Sequence, residues 1–102
     1  MNERIRRLVA EALQGIDHEQ VVLFGSRARG DSTTESDYDL LITVRGTLSL
    51  SEKIRIFGLV RRCLAHQGID ADIIVKSEAE VEYLRDKIGS VVGAAVAEGV
   101  RL

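Results

Sequence analysis

The chain has 102 residues, a formal net charge of −2 and a single cysteine. This length predicts one domain spanning residues 1–102, and the apolar and charged fractions of 45% and 29% are ordinary for a globular protein. The near-neutral charge argues against nucleic-acid binding as a main activity. One cysteine cannot form an intrachain disulfide, and neither a signal-peptide pattern nor a membrane-spanning apolar run occurs. We therefore expect a cytoplasmic protein without a membrane partner.

The first predicted element is an amphipathic helix over residues 2–13. Apolar residues recur there at helical spacing, so that one stripe of the helix faces the core. Gly15 follows directly and is expected to end the helix, as glycine often does just past a C-terminus. The stripe consists of Ile5, Leu8, Val9, Ala12 and Leu13.

Three apolar runs, residues 20–25, 38–44 and 72–76, predict strands. Two Ser–x–x–Glu patterns are capping boxes that start helices at Ser49 and at Ser77. The first helix carries Ile54, Phe57, Val60 and Leu64 at helical spacing and ends near Gly68. The second is expected to turn Val81, Leu84 and Ile88 inward, and a last helix runs from residue 91 to Gly99. The order αβ(turn)βαβαα predicts an α/β (α+β) fold, with a small mixed sheet flanked by helices.

The turn after the first strand has features of an anion site. Gly25 lets the backbone approach a ligand closely, and Ser26 is expected to cap the short helical turn that follows. The free N–H groups of such a turn attract phosphate, and Arg27 and Arg29 add positive charge. A plain Gly-Ser turn explains the same residues, so the pattern alone leaves both readings open.

Two aspartates open the second strand. Asp37 and Asp39 are two residues apart, which places both on one face of a strand, roughly 7 Å apart at Cα. At ~5 Å between the carboxylates and an effective dielectric constant of ~20, their repulsion costs about 3 kcal/mol. A divalent cation removes this cost, and Mg²⁺ commonly binds one or two carboxylates together with substrate phosphates. Solvent exposure at the strand entrance would also reduce it, so these residues alone do not decide between the two.

Ten residues separate Ser26 from Asp37, and the two halves would hold parts of one ligand, a metal-bound triphosphate. The pattern Gly25-Ser26-x10-Asp37-Tyr38-Asp39 resembles the signature of the polymerase-β-like nucleotidyltransferase superfamily. The longer strings Phe24-Gly25-Ser26-Arg27-Ala28-Arg29-Gly30 and Ser36-Asp37-Tyr38-Asp39-Leu40 are similar to its minimal nucleotidyltransferase branch. The resemblance covers the chain in length and in element order, and it implies that family's fold.

The resemblance also implies roles for individual residues. Gly25, Ser26 and Arg27 would hold the nucleoside triphosphate, with Arg29 as the alternative basic helper. Asp37 and Asp39 would bind two Mg²⁺ ions. The family's third carboxylate corresponds to Asp72, which directly precedes an apolar strand and could bind metal or act as a general base. Asp70 is the alternative for that position.

The resemblance implies an enzyme that transfers AMP from ATP to a hydroxyl group. Members of this branch are antitoxins that silence a HEPN ribonuclease toxin by adding AMP to it, so a HEPN-type toxin is the expected partner. One alternative is a small-molecule nucleotidyltransferase of the aminoglycoside-modifying type. Another is an antitoxin that acts by binding alone. A homo-oligomer is compatible with all three.

Four other residues look chemical but fit structural roles. His18 and His66 are far apart, have no metal-ligand spacing and are expected at the surface. Cys63 is expected to be a small core side chain. Tyr38 lies between the aspartates, so its side chain should point away from them and pack against the protein.

Overall fold

The computed structural model describes residues 2–30, 33 and 37–102. Five helices and four strands occur in these ranges. They are α1 (Asn2–Ala12), β1 (His18–Phe24), α2 (Ser26–Arg29), β2 (Tyr38–Val44), α3 (Leu50–His66), β3 (Ala71–Ser77), α4 (Glu78–Leu84), α5 (Val91–Glu98) and β4 (Val100–Arg101). The predicted order of elements and the predicted α+β class are confirmed, and β2 has the predicted bounds.

The four strands form one mixed sheet in the order β3-β2-β1-β4. Strand β1 is antiparallel to β2 and β4, whereas β2 and β3 are parallel and are joined by the crossover helix α3. Strands β2 and β3 therefore begin at the same end of the sheet, where β1 ends. The two-residue strand β4 was not predicted, because so short a segment has no periodicity of its own.

Helices cover both faces of the sheet. Alternate strand residues such as Leu23, Leu40 and Ile42 point to a core shared with α1 and α3. Their neighbours Val22 and Leu41 point to a second core, formed with α4 and α5. Burial on both faces explains why the strands are almost continuously apolar rather than alternating.

Helices α3 and α4 begin where the sequence predicts. The Ser49 side chain accepts a hydrogen bond from the Glu52 N–H, and the Glu52 carboxylate accepts one from the Ser49 N–H. Ser77 and Glu80 form the same reciprocal pair. The two predicted capping boxes are thus confirmed, and each satisfies backbone donors that a helix start leaves without partners.

Two predictions about helix faces need correction. Ile88 was expected to point inward from the second capped helix, but α4 ends at Leu84 and Ile88 is fully exposed. The buried face of α3 consists of Ile56, Val60 and Leu64 rather than the whole predicted series. Ile54 and Phe57 of that series are exposed, because they lie toward one side of the helix instead of facing the sheet. Over the residues that the structure describes, no helix is long and apolar enough to cross a membrane.

Candidate active site

The candidate site lies at the end of the sheet where β2 and β3 begin and β1 ends. Asp39 is the second residue of β2, and in the parallel register it is directly opposite Asp72, the second residue of β3. On its other side Asp39 is paired with Phe24, the last residue of β1. Gly25 follows Phe24 and leads into α2. The topology therefore brings together two segments that are far apart in sequence, the Gly-Ser turn and the strand carrying Asp72.

Gly25 makes room for the Asp39 carboxylate. Its backbone has φ 75° and ψ −157°, a conformation that essentially only glycine adopts. A Cβ atom on residue 25 would overlap the Asp39 Oδ2 atom and would lie 3.1 Å from Cγ. The sequence suggested that this glycine admits a ligand, whereas the structure shows that it also admits the carboxylate of its neighbour.

The prediction that Ser26 caps the turn is wrong. Gly25 occupies the N-cap position of α2, Ser26 is the first helical residue, and no side-chain capping hydrogen bond forms. The reason is conformational, because an N-cap residue with a positive φ favours glycine over serine. Ser26 is half-buried beside Gly25, and the turn is closed by the Gly25 carbonyl, which accepts hydrogen bonds from the N–H groups of Ala28 and Arg29.

The electrostatics of the site centre on Asp39. Burial raises the pKa of its carboxyl above the usual value, and the negative charges of Asp72 and, to a smaller extent, Asp37 raise that pKa further. The positive charge of Arg29 acts in the opposite direction. The Asp72 and Asp37 carboxylates are therefore close enough to Asp39 to repel its charge, and the ionised form of Asp39 is less favoured than that of an isolated aspartate.

This arrangement fits a hard divalent cation. Carboxylate oxygens are the donors that Mg²⁺ prefers, and a cation would reverse the penalty on ionised Asp39. Asp37 and Asp72 are both exposed and so remain open to a ligand. Among the residues with described positions, however, no three acidic, histidine or cysteine side chains already form a metal-binding cluster. The donor set and its charge suit Mg²⁺.

Arg27 and Tyr38 connect the turn to the strand of aspartates. The Arg27 guanidinium carbon lies 4.4 Å from the centroid of the Tyr38 ring, within the range of a cation–π interaction. The ring is buried and belongs to the core shared with α1 and α3, so it points away from Asp37 and Asp39 as predicted. The backbone N–H of Tyr38 donates a hydrogen bond of 3.1 Å to the Asp70 carbonyl. Tyr38, at the start of β2, thus contacts both the turn that contains Arg27 and the segment that precedes β3.

A cleft of about 480 Å³ opens beside the acidic residues. Asp37, Asp70 and Asp72 line one part of it, and Phe57 and Arg61 of α3 line another. Asp70 and Asp72 therefore share the cleft, but Asp72 alone of the two is paired with Asp39 and acts on its pKa. Gly25, Ser26 and Arg27 lie on the β1 side of Asp39, and they do not line this cleft.

Sequence reasoning missed Phe57 and Arg61 as residues near the site. Phe57 was assigned to the helical series of α3, and Arg61 was not singled out. Their proximity to Asp72 depends on how the crossover helix returns to the start of β3, which the local sequence does not encode. An available signal was that the apolar series of α3 is too wide for the single buried face of one helix.

The remaining candidates stand apart from the carboxylates. His66 is exposed at the end of α3, as predicted, but His18 is half-buried, with its Nδ1 atom 3.2 Å from the Ile16 carbonyl oxygen. The Cys63 thiol donates a hydrogen bond of 3.3 Å to the Leu8 carbonyl, and burial raises its pKa. Cys63 is half-buried and links α3 to α1, which suits the predicted packing role. Ser36, part of the motif in the sequence, lies outside the described residues.

Known proteins resemble this chain in sequence. Residues 10–90 match the model of the family described as polymerase beta, nucleotidyltransferase. A putative protein adenylyltransferase from Methanocaldococcus jannaschii is 37% identical over 67 residues, which are 65% of this chain and 68% of the relative.

Solved structures show the same fold. A crystal structure of a putative nucleotidyltransferase from Sulfolobus solfataricus is 30% identical, with a TM-score of 0.54 over 83% of this chain and 78% of its own. A toxin–antitoxin structure with AMP-PNP has a TM-score of 0.61 at 20% identity, covering 93% of this chain and 69% of that one. A mutant of the toxin–antitoxin MntA-HpeT also has a TM-score of 0.61, at 14% identity, over 99% and 71%. With the family model matching most of its length, the chain belongs to the polymerase beta nucleotidyltransferase family.

Proposed function

We propose that this protein is a Mg²⁺-dependent adenylyltransferase that moves AMP from ATP to a hydroxyl group of a protein, acting in the cytoplasm as the antitoxin of a HEPN-type ribonuclease toxin. The observation that carries the proposal is the pairing of Asp39 with Asp72 across the sheet, beside a glycine turn that leaves room for the Asp39 carboxylate. The name of the Methanocaldococcus relative and the titles of the two toxin–antitoxin structures, one of them with AMP-PNP, support the choice of nucleotide and partner.

In this reaction the acceptor oxygen bonds to the α-phosphorus of ATP, the bond from that phosphorus to the bridging oxygen breaks, and pyrophosphate leaves. Gly25, Ser26 and Arg27 would hold the triphosphate on the β1 side of Asp39. Asp72, which faces the cleft, would take the proton of the acceptor hydroxyl. Mg²⁺ held by Asp37, Asp39 and Asp72 would neutralise charge on the triphosphate and on the acceptor oxygen. The site then acts mainly through positioning and electrostatics.

The test uses ATP carrying radioactive phosphorus at either the α or the γ position, with Mg²⁺ and a HEPN-type protein encoded beside this chain. AMP transfer labels the partner from α-labelled ATP alone, and mass spectrometry locates the AMP on a hydroxyl side chain. Asp39→Asn should abolish labelling, while Asp86→Asn, an exposed aspartate outside the cleft, should leave it intact.

The same experiment separates the rival functions. Labelling of an aminoglycoside instead of the protein would favour a small-molecule enzyme. Suppression of the ribonuclease by wild type and Asp39→Asn alike, with no labelling, would favour neutralisation by binding alone. Either result would contradict the proposal.

A further inference from the structure

An exposed apolar strip runs along α3 toward the cleft. Leu50, Ile54 and Phe57 are 73%, 62% and 39% exposed, and their spacing of four and three residues places them on one face of the helix. Arg61, four residues further on, continues the same face. We call these four residues the α3 strip. Isolated apolar side chains are common on protein surfaces, but three large ones in a row on one helix are typical of an interaction site.

The α3 strip leads directly to the carboxylates. Its last two residues, Phe57 and Arg61, line the same cleft as Asp37 and Asp72. Gly25, Ser26 and Arg27 lie on the opposite side of Asp39, because β2 separates β1 from β3 in the sheet. If the triphosphate occupies the β1 side, the cleft on the β3 and α3 side is open to the acceptor. The strip is therefore placed along the route of the acceptor.

The charges beside the strip specify the chemistry of the partner. Gly58 lies next to Ile54 and Phe57 on the helix surface, and the Arg62 Nη1 atom lies 2.9 Å from where a Cβ of residue 58 would be. The absence of a side chain at Gly58 thus lets the Arg62 guanidinium lie along the helix beside the strip. Among residues 2–30, 33 and 37–102, neither Arg61 nor Arg62 forms an ion pair. The surface is apolar along its length and cationic at the end nearest the cleft.

We propose that the α3 strip docks an acidic amphipathic segment of the protein that receives AMP. Apolar side chains of that segment would pack on Leu50, Ile54 and Phe57, and its carboxylates would pair with Arg61 and Arg62. This docking would bring the acceptor hydroxyl into the cleft beside Asp72. The inference rests on the proposed adenylyltransferase function and adds to it a surface that selects the acceptor, separate from the groups that bind nucleotide.

Two substitutions test this surface without altering the core. Ile54→Glu replaces an exposed apolar side chain and would repel an acidic partner, and Arg62→Glu reverses the charge beside the strip. Ile88→Glu is the matched control, because Ile88 is also exposed and apolar but lies between α4 and α5, which pack on the other face of the sheet. Surface changes of this kind usually alter stability by less than about 0.5 kcal/mol, so the variants should fold.

The experiment measures transfer and nucleotide binding separately. Each variant is incubated with Mg²⁺ and α-labelled ATP in a lysate of the native cell, and the labelled protein band is quantified. In parallel, the rise in melting temperature caused by Mg²⁺ and a nonhydrolysable ATP analogue reports nucleotide binding. We expect Ile54→Glu and Arg62→Glu to reduce labelling at least tenfold with an unchanged rise in melting temperature. Ile88→Glu should match the wild type, and Arg62→Lys should restore most of the labelling.

The possible failures are distinguishable. Absence of any labelled protein with the wild type would contradict the proposed function itself. Normal labelling by Ile54→Glu and Arg62→Glu would overturn the docking surface alone. It would also be overturned if Ile54→Glu left labelling intact but converted a dimer to a monomer in ultracentrifugation, or released the protein from anionic phospholipid vesicles. Those two results would assign the strip to self-association or to a membrane surface.

Discussion

The Asp39 carboxylate occupies the space that a side chain at Gly25 would need. A Cβ atom at residue 25 would overlap Asp39 Oδ2, so residue 25 has no room for a side chain while the Asp39 carboxylate keeps this position. The glycine sits at the end of β1 and the aspartate near the start of β2, adjacent strands in the sheet. This contact links the turn that we propose to hold the triphosphate with a carboxylate that we propose to bind the metal.

Gly25→Ala should therefore damage both stability and activity. The backbone conformation at residue 25 costs a non-glycine residue about 1–3 kcal/mol, and the clash with Asp39 adds to this. Gly15→Ala is the control, because Gly15 also has a positive φ of 82° but a Cβ there meets no atom within 4 Å. Urea denaturation should show a larger loss for Gly25→Ala than for Gly15→Ala, and only the former should lose AMP transfer. Equal losses in both variants would mean that the Asp39 contact has no effect.

The positions of Asp72 and Asp70 relative to Asp39 predict which of the two is the third carboxylate of the site. Asp72 is directly opposite Asp39, whereas Asp70 precedes β3 and contacts Tyr38 through its backbone carbonyl. That backbone contact would survive a side-chain change. We expect Asp72→Asn to reduce kcat at least a hundredfold, in line with the loss of a general base, and Asp70→Asn to change it less than tenfold. Steady-state kinetics of AMP transfer decides between them, and the reverse order would make Asp70 the third carboxylate.

Most of the fold could be predicted because its signals are local. The reciprocal capping pairs at Ser49 and Ser77 involve residues three apart, and the apolar runs of β1 to β3 need no tertiary information. The prediction that Ile88 points inward was wrong, because it depended on where the helix ends and not only on a local pattern. The spacing of Ile88 from Val81 and Leu84 is helical, but the chain leaves the helix after Leu84, and residues outside a helix do not follow its periodicity.

The candidate site was predictable as a set of residues and not as an arrangement. The spacing of the motif predicted Gly25, Asp37 and Asp39 as site residues, and the family resemblance predicted Asp72. Their proximity depends on the parallel register of β2 with β3, a long-range relationship set by the crossover helix. The same holds for Phe57 and Arg61, which reach the cleft only because α3 packs against β3.

The raised pKa of Asp39 predicts a pH-dependent effect on stability. A carboxyl whose pKa is higher in the folded than in the unfolded state favours folding while protonated, and it loses that contribution as the pH rises through the folded pKa. Asp39→Asn should therefore raise the melting temperature at pH 7 without metal. The sign of the change is the test, because burial and the neighbouring charges of Asp72 and Asp37 disfavour only the ionised side chain that asparagine lacks.

The advantage of Asp39→Asn should disappear at low pH, where wild-type Asp39 is protonated as well. It should also shrink at pH 7 when Mg²⁺ and a nonhydrolysable ATP analogue are added, because the wild type then gains stability by binding them. Differential scanning calorimetry from acidic to neutral pH, with and without these ligands, measures both effects. A melting temperature that is lower for Asp39→Asn at pH 7 without metal would show that burial and the neighbouring charges do not destabilise ionised Asp39.

Tyr38 should affect nucleotide binding through Arg27 and not through its hydroxyl. The ring lies under the Arg27 guanidinium, so Tyr38→Phe keeps the contact while Tyr38→Leu removes it. A cation–π contact contributes about 0.5–2 kcal/mol, which corresponds to a roughly 2- to 30-fold change in affinity. Tyr83→Leu is the control, since the exposed Tyr83 ring makes a similar contact with Lys87, whose Nζ atom lies 4.5 Å from the ring centroid. Calorimetric titration with a nonhydrolysable ATP analogue and Mg²⁺ should show weaker binding for Tyr38→Leu alone, and equal affinities for all three variants would exclude a role of Tyr38 in positioning Arg27.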